Sequence, residues 1–492
     1  MIRPTRPCAV GERYRTADAP WDQPTLDALL HTAAHRMPHH VAVVDGDRRW
    51  TTTDVDTRAA ALAGALRDRG VGAGDAVAWQ LPNCAEAIVA MHACWRLGAI
   101  AVPIHHGFTP REVERLLAAT TPSVVLDLDA ISAGSLGGTV IDVPFDDGDA
   151  LGTVLFTSGS SGTPKGVLHT QHSLAYKART MAAVHGLTSD DVVLMPAPLA
   201  HVSGMLNGVT LPGVVPFTTV VMQRWDPEHA LDLIERERVT FMIGPPTFCI
   251  ALLQAPGFRP DRVRSLRLVS SGGAGVTEAF VESASRRLDC VVKRTYGSTE
   301  TPTVATSTPL DPATAAARHD GRAIGAVELR VSDRGELEVR GPEMFCGYLD
   351  PAANDAAFTD DGFYRTGDLA TLDHDGWLTI VGRIADVIIR GGENIAAAEV
   401  EAALEAHPDV AAAVAVGYPD ELLGERVCAF VVRDPRATAT LDVEWCRSWF
   451  SERGVAKYKT PERVEVLDAF PVLASGKPDR GALRSLARTT IV

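Results

Sequence analysis

No two cysteines of this 492-residue chain are spaced as CxxC. Cys8, Cys84, Cys94, Cys249, Cys290, Cys346, Cys428 and Cys446 are scattered, which excludes a zinc ribbon or a disulfide framework. Long apolar runs are also missing. The longest, around Val209–Met222, is broken by Pro212 and Pro216 and is too short to span a bilayer. The opening stretch MIRPTRPCAVGERYR has no apolar core of the signal-peptide kind, so the cytoplasm is the expected location. Basic residues are in deficit, 47 Lys and Arg against 62 Asp and Glu, a net charge of −15. That argues against a general nucleic-acid or anionic-membrane binder, while a local basic patch for an anionic ligand stays open. There are no internal repeats. Gly70-Val71-Gly72-Ala73-Gly74 lacks dinucleotide-binding spacing and reads as a turn.

What is present is an ordinary globular composition, 46% apolar and 22% charged, on a chain too long for one core. Strand and helix patterns alternate, which predicts α/β layering. Val41–Asp45, Ala76–Leu81, Phe241–Ile243 and Val291–Arg294 read as strands, and Ser123–Leu128 as a buried one. Thr53–Arg69, Ala85–Leu97, Pro227–Arg238 and Val276–Leu288 read as helices. Thr109-Pro110-Arg111-Glu112 is a helix start, with Thr as cap, Pro in the first turn and Glu able to reach back. After residue 320 short alternating strands dominate: Glu336–Arg340, Gly362–Arg365 and Trp377–Val381. From Ile384 a fresh pattern begins, with helix Ala397–Ala406, strands Val410–Gly417 and Val427–Val432, and helix Asp442–Arg453. The division expected is 1–384 and 385–492.

Leu155–Val167, LFTSGSSGTPKGV, carries the clearest chemistry. Hydroxyls of Thr157, Ser158, Ser160, Ser161 and Thr163 and glycines Gly159, Gly162 and Gly166 surround one lysine, Lys165. Glycines let the backbone approach a ligand, and hydroxyl and N–H groups donate to oxyanions. This is a phosphate cradle, but not GxxxxGK[ST], because Lys165 follows Thr163-Pro164 and Gly166 comes next. A flexible linker would rarely wedge Thr-Pro-Lys-Gly between two apolar runs.

TSGSSGTPKG resembles the phosphate-binding signature of the adenylate-forming superfamily, which includes acyl-CoA synthetases, adenylation domains of peptide synthetases, aryl-acid ligases and luciferases. Three further signatures follow in the order the family has them: Tyr296-Gly297-Ser298-Thr299-Glu300, Tyr364-Arg365-Thr366-Gly367-Asp368-Leu369 and Pro471-Val472-Leu473-Ala474-Ser475-Gly476-Lys477. The resemblance implies a large N-terminal domain of layered α/β subdomains with a small β-barrel-like part, then a small mobile α+β domain. It gives the ATP site to Thr157–Thr163, Lys165, Gly273, Ala274, Tyr296, Gly297, Asp368 and Arg383, the last two at the ribose. It gives Mg²⁺ to Glu300 and Thr157, the latter within the phosphate loop. It makes Lys477 the mobile catalytic cation, places Thr299 near the α-phosphate and the substrate carboxylate, and makes His201 guard of the acid pocket. Mg²⁺ favours one or two carboxylates plus phosphate oxygens, which suits Glu300. Taken alone, Lys477 in its Gly-rich turn would read as an exposed lysine.

Val202, Gly273, Gly297, Thr303 and Val304 fall on the family's acid-pocket segments. Ala200 stands where relatives often have an aromatic, and Val202 where 2-hydroxybenzoate-selective ligases have Asn. Gly391, Gly392 and Tyr458 match the thiol tunnel and CoA contacts, Leu423-Gly424 stands where some relatives have Trp-Gly, and the hinge falls at Ala385, where many relatives have Asp or Lys. The reaction implied is ATP-dependent conversion of a carboxylic acid to an acyl-adenylate, with pyrophosphate released, then transfer to the CoA thiol. Rival readings are loading of a carrier-protein phosphopantetheine, a non-thiol acceptor, or activation of a non-acyl oxyanion such as nitrite; a non-catalytic binding homologue ranks last. Two decoys are set aside. His31, His35, His39 and His40 look like a metal cluster, but Pro38 breaks any continuous helix, and a solvated helix face is preferred. His39–Gly46 resembles an HHxxxDG acyltransfer motif with one residue too many, and its valines read as a buried strand.

Overall fold

The computed structural model describes residues 2–5, 24–134, 139–157, 164–473 and 476–489. Two sheets face each other across a helical layer. The larger runs, in spatial order, Arg322–Ala323, Ala305–Thr306, Val291–Tyr296, Leu268–Gly272, Phe241–Gly244, Val192–Met195, Thr218–Val221, Val41–Asp45 and Arg48–Thr51. Its middle strands are parallel. The second sheet runs Val124–Leu126, Ala76–Leu81, Ile100–His105, Leu151–Thr157 and Lys165–Thr170.

Helices Leu26–Arg36, Thr52–Asp68, Ala85–Leu97 and Gln171–His185 fill the space between the sheets. Their apolar stripes meet Trp79, Ala101 and Leu155 of one sheet and Val43, Val193 and Phe241 of the other in one continuous core. Burial on both faces explains why these strands read as apolar runs rather than alternating ones. The Thr109 prediction holds in detail: Glu112 accepts from the Thr109 amide (2.7 Å), and Thr109 accepts from the Glu112 amide (3.4 Å).

Ser123–Leu128 departs from expectation. Only Val124–Leu126 is strand, and of its residues only Leu126 is buried, Val125 being 56% exposed. It pairs on one side only, with Ala76–Leu81, so its valines mark an edge rather than an interior. Gly362–Arg365 is likewise the lead-in to a longer strand, Tyr364–Leu372.

The β part after residue 320 is a four-stranded antiparallel sheet, Glu328–Val331, Glu336–Arg340, Tyr364–Leu372 and Leu378–Arg383. One 3₁₀ turn, Ile384–Asp386, leads from it into the C-terminal domain. That domain's sheet comprises Val387–Arg390, Glu393–Ala396, Val410–Asp420, Gly424–Arg433 and Arg463–Leu467, packed by helices Ala397–Glu405, Val443–Glu452 and Arg480–Thr489. No helix among the described residues is long and apolar enough to cross a membrane.

Candidate active site

The loop of the first signature joins the ends of two antiparallel strands, where Thr157 pairs with Lys165. Ser158, Gly159, Ser160, Ser161, Gly162 and Thr163 lie outside the described residues. Lys165 is exposed, with its ammonium 4.9 Å from the centre of the Tyr348 ring. The Tyr348 hydroxyl donates to Glu300 Oε1 (2.8 Å), so one tyrosine links the loop's lysine to the carboxylate of the second signature.

Thr299 and Glu300 follow the strand Val291–Tyr296 and are both buried. Their backbone is held from outside the signature. His169 bonds the Thr299 carbonyl through Nε2 (2.7 Å), and the Phe345 amide bonds the Glu300 carbonyl (2.9 Å). Burial pulls the His169 imidazole down to about 4, so it is neutral and donates. Glu300 keeps acceptor capacity beyond the lone pair that Tyr348 uses, and carboxylate oxygen is the donor type a hard cation takes. The residues present therefore fit Mg²⁺.

Asp368 lies on the strand Tyr364–Leu372 and is also buried. Its Oδ2 accepts from the Tyr296 hydroxyl (2.6 Å) and its Oδ1 from Arg383 Nε (2.6 Å). Each oxygen retains a lone pair for a sugar hydroxyl. Desolvation, then the Asp368 charge, pushes the Tyr296 hydroxyl well above its ordinary range, so it is a fixed donor.

Lys477 is not the exposed turn lysine its local sequence suggests. Gly476, at φ +80°, seats that turn against Pro245 and Phe248, and the Thr247 hydroxyl donates to the Gly476 carbonyl (2.6 Å). The lysine side chain then runs over Gly273, where a Cβ would sit 2.9 Å from Cε and 3.3 Å from Nζ. A side chain here would have to displace the end of Lys477, and the positive φ of Gly273 (77°) favours glycine in any case. Burial, then the Arg383 charge, brings the Lys477 ammonium down to about 8 against the opposing pull of Asp368 and Glu300. A residue near the C-terminus thus feels the Asp368 and Glu300 carboxylates together.

His201 caps a short helical turn, accepting from the Ser203 amide at Nδ1 (3.2 Å), which leaves Nε2 as the protonated nitrogen. Burial, then Lys477, then His105 depresses it to about 3, so it faces the site as a neutral imidazole. A five-residue π-helix, Leu206–Thr210, follows Val202–Met205. Val202 and Val304 are buried, and Ala274 is half-buried beside Gly273.

Gly391, Gly392 and Tyr458 are not brought to this site. The Gly391 amide donates to the Leu423 carbonyl (2.7 Å) of the same domain, and both glycines are exposed. Tyr458 packs on the C-terminal core beside Lys459. Ala385 is exposed in its 3₁₀ turn, while Asp386 next to it pairs with Arg484 (2.7 Å) and Arg480 (3.6 Å). The histidine decoy resolves locally. His31 meets Asp56 (3.3 Å) and His35 bonds the His31 carbonyl (2.8 Å). Tyr348, His169 and Thr247 escaped the sequence reading, since each stands outside the signatures and becomes relevant only through contact.

Residues 30–349 match the family model of AMP-binding enzymes, and residues 399–477 match the model of their C-terminal domain. The chain belongs to the AMP-binding enzyme family. It is 33% identical to the medium-chain fatty-acid–CoA ligase of Escherichia coli, over 94% of this chain and 90% of that one. It is 31% identical to the 2,3-dihydroxybenzoate–AMP ligase of Bacillus subtilis, over 97% and 96%. Among solved structures, ATP-bound MatB from Rhodopseudomonas palustris superposes with a TM-score of 0.83 at 27% identity, covering 94% of this chain and 99% of that one. This AMP-forming ligase therefore has the adenylate-forming fold through both domains, and its use of ATP accords with the nucleotide held by that neighbour.

Proposed function

We propose that this AMP-binding enzyme joins a carboxylic acid to the thiol of CoA through an acyl-adenylate. The observation that carries the reading is the seating of Lys477 over Gly273, in the field of Asp368 and Glu300. An acid attacking the α-phosphate brings two anions together, and a desolvated ammonium between them offsets that repulsion. Asp368 and Arg383 would hold the ribose, and Thr157, Lys165 and the intervening loop the β- and γ-phosphates. Glu300 with Thr157 would hold Mg²⁺, which supplies positive charge to the phosphates when bound. Thr299, held through its carbonyl by His169, would direct its hydroxyl to the α-phosphate and the acid. Neutral His201 with Val202, Gly273, Gly297, Thr303 and Val304 would line the acid pocket without adding charge to it.

The second half-reaction needs the thiol at the acyl carbonyl after pyrophosphate has left. We place the hinge at Ala385, with residues 1–384 and 385–492 as the two bodies, and the Gly391-Gly392 turn and Tyr458 as the elements that would line the thiol path. A small residue can absorb a large torsion change at a hinge. The likeness to an acid–AMP ligase supports a second reading, in which a carrier-protein phosphopantetheine replaces CoA.

A pyrophosphate-release screen over aryl, cinnamyl and alkyl acids, with CoA added or withheld, tests both. Acid-dependent release without CoA is the expected result, with CoA then yielding a thioester. Release without any thioester would move the assignment to the carrier-protein reading. No release with any acid would overturn adenylation itself.

A further inference from the structure

Lys177 lies within the helix Gln171–His185 and is completely buried. Taking an ammonium out of water costs several kcal/mol, so its partners matter. One is Glu343, 3.1 Å away and 1% exposed. The other is the carbonyl of Thr303, to which Lys177 Nζ donates at 2.9 Å. Neither charged residue belongs to a signature.

Thr303 has φ +38°, in the left-handed region that a β-branched residue avoids. Its amide is packed so closely on Gly297 that a Cβ there would run into it. The Val304 amide bonds the Tyr296 carbonyl (2.8 Å), and the Ser298 amide the Thr301 carbonyl (3.1 Å). The segment carrying Thr299 and Glu300 therefore doubles back on itself, with its strain concentrated at Thr303. Such strain persists only where the surroundings over-determine the backbone. Lys177 fixes the strained residue by its carbonyl. Glu343 lies two residues before Phe345, whose amide fixes the Glu300 carbonyl.

An apolar pair of similar volume would fill this space at no greater cost, so packing alone does not account for two buried charges. We propose that Lys177 and Glu343 are positioning residues: a buried ion pair that pins Thr303 in its left-handed conformation and so sets the acid-pocket wall and the placement of Thr299 and Glu300. The inference rests on reading Thr303 as part of that wall.

The test is the double variant Lys177→Met/Glu343→Met beside the wild type, read by thermal melting, amide hydrogen exchange and acid-dependent pyrophosphate release. The expected result is a melting temperature close to wild type, with exchange across 297–304 about tenfold faster or more. The kcat/KM for the acid falls about 30-fold, through KM and kcat together, while the KM for ATP stays within about threefold. Unchanged exchange, or faster exchange with unchanged acid kinetics, overturns the proposal. Should the wild type release no pyrophosphate with any acid, the functional reading fails, and exchange across 297–304 still decides whether the pair pins the loop. If the double variant does not fold, Glu343→Gln is compared with Lys177→Met by exchange. Faster exchange across 297–304 in both variants upholds the pair as what pins Thr303, and protection retained in either overturns it.

Discussion

At the scale of single residues, the site is governed by what burial does to charge. Lys477 is brought down to about 8, so the free enzyme has an ammonium there below that pH and loses it above. The kcat/KM for pyrophosphate release is expected to decline as pH rises through about 8. Lys477→Arg, whose guanidinium stays charged, should abolish that descending limb even where its rate is lower; a pH–rate profile of both proteins checks this. His169 works in the opposite direction. It is neutral when folded, with its pKa drawn to about 4, and it regains an ordinary value near 6.5 when unfolded. Between these values the unfolded chain binds the extra proton. The stability that neutral His169 contributes is complete above about 6.5 and is lost as pH falls toward 4, by about 3 kcal/mol at most. Urea melts of wild type and His169→Gln from pH 7 to 4 should show a shallower loss in the variant.

At the scale of elements, the segment from Tyr296 to Val304 illustrates how a strand end becomes a tightly folded loop. Of the strand Val291–Tyr296, the part Val291–Arg294 was legible in the sequence, and the signature after it from residue order. The fold of that loop was not legible. It depends on a left-handed Thr303, a glycine whose missing Cβ admits the Thr303 amide, and bonds from His169, Lys177 and Phe345, all distant in sequence. Gly297→Ala is expected to lower adenylation at least about 100-fold, because the new methyl meets backbone that cannot rotate away. Circular dichroism should show the fold retained, since the residue lies outside the main cores. The edge strand Val124–Leu126 makes the same point in reverse. Three apolar residues looked buried, but burial depends on what packs on a face, and one of the valines is open to solvent.

At the scale of the whole molecule, the two domains meet through a few directed contacts. Thr247 donates to the Gly476 carbonyl, and Thr277 donates to Glu405 Oε2 (2.8 Å) while capping its own helix. The Ala413 amide donates to the other Glu405 oxygen (2.9 Å), and burial raises this carboxyl to about 7, with Glu401 pushing the same way. A carboxyl raised on folding is protonated in the folded chain between about 4.5 and 7, so its charge weakens the seated arrangement as pH rises through that window. Glu405→Gln is expected to raise the melting temperature at pH 8, on the order of 1 kcal/mol in stability, and to leave it unchanged near pH 5. Lys477→Ala addresses the proposed division of labour between poses. It should abolish pyrophosphate release while sparing thioester formation from supplied acyl-adenylate and CoA. Equal loss of both half-reactions would sink the two-pose scheme.

The sequence by itself determined the layered α/β architecture, through apolar runs and capped helices, and the identity of the chemistry, through signatures that place Thr157, Lys165, Thr299, Glu300, Asp368, Arg383 and Lys477 in a fixed order. These are local patterns of residue type and spacing, which a linear chain displays in full. The tertiary structure alone decided that Lys477 lies over Gly273 rather than in solvent, that Tyr348 joins Lys165 to Glu300, and that a buried Lys177–Glu343 pair stands behind Thr303. Each of these depends on groups tens to hundreds of residues apart meeting at hydrogen-bond or van der Waals distance. Their energies come from desolvation and directed contact, which exist only once the chain has folded.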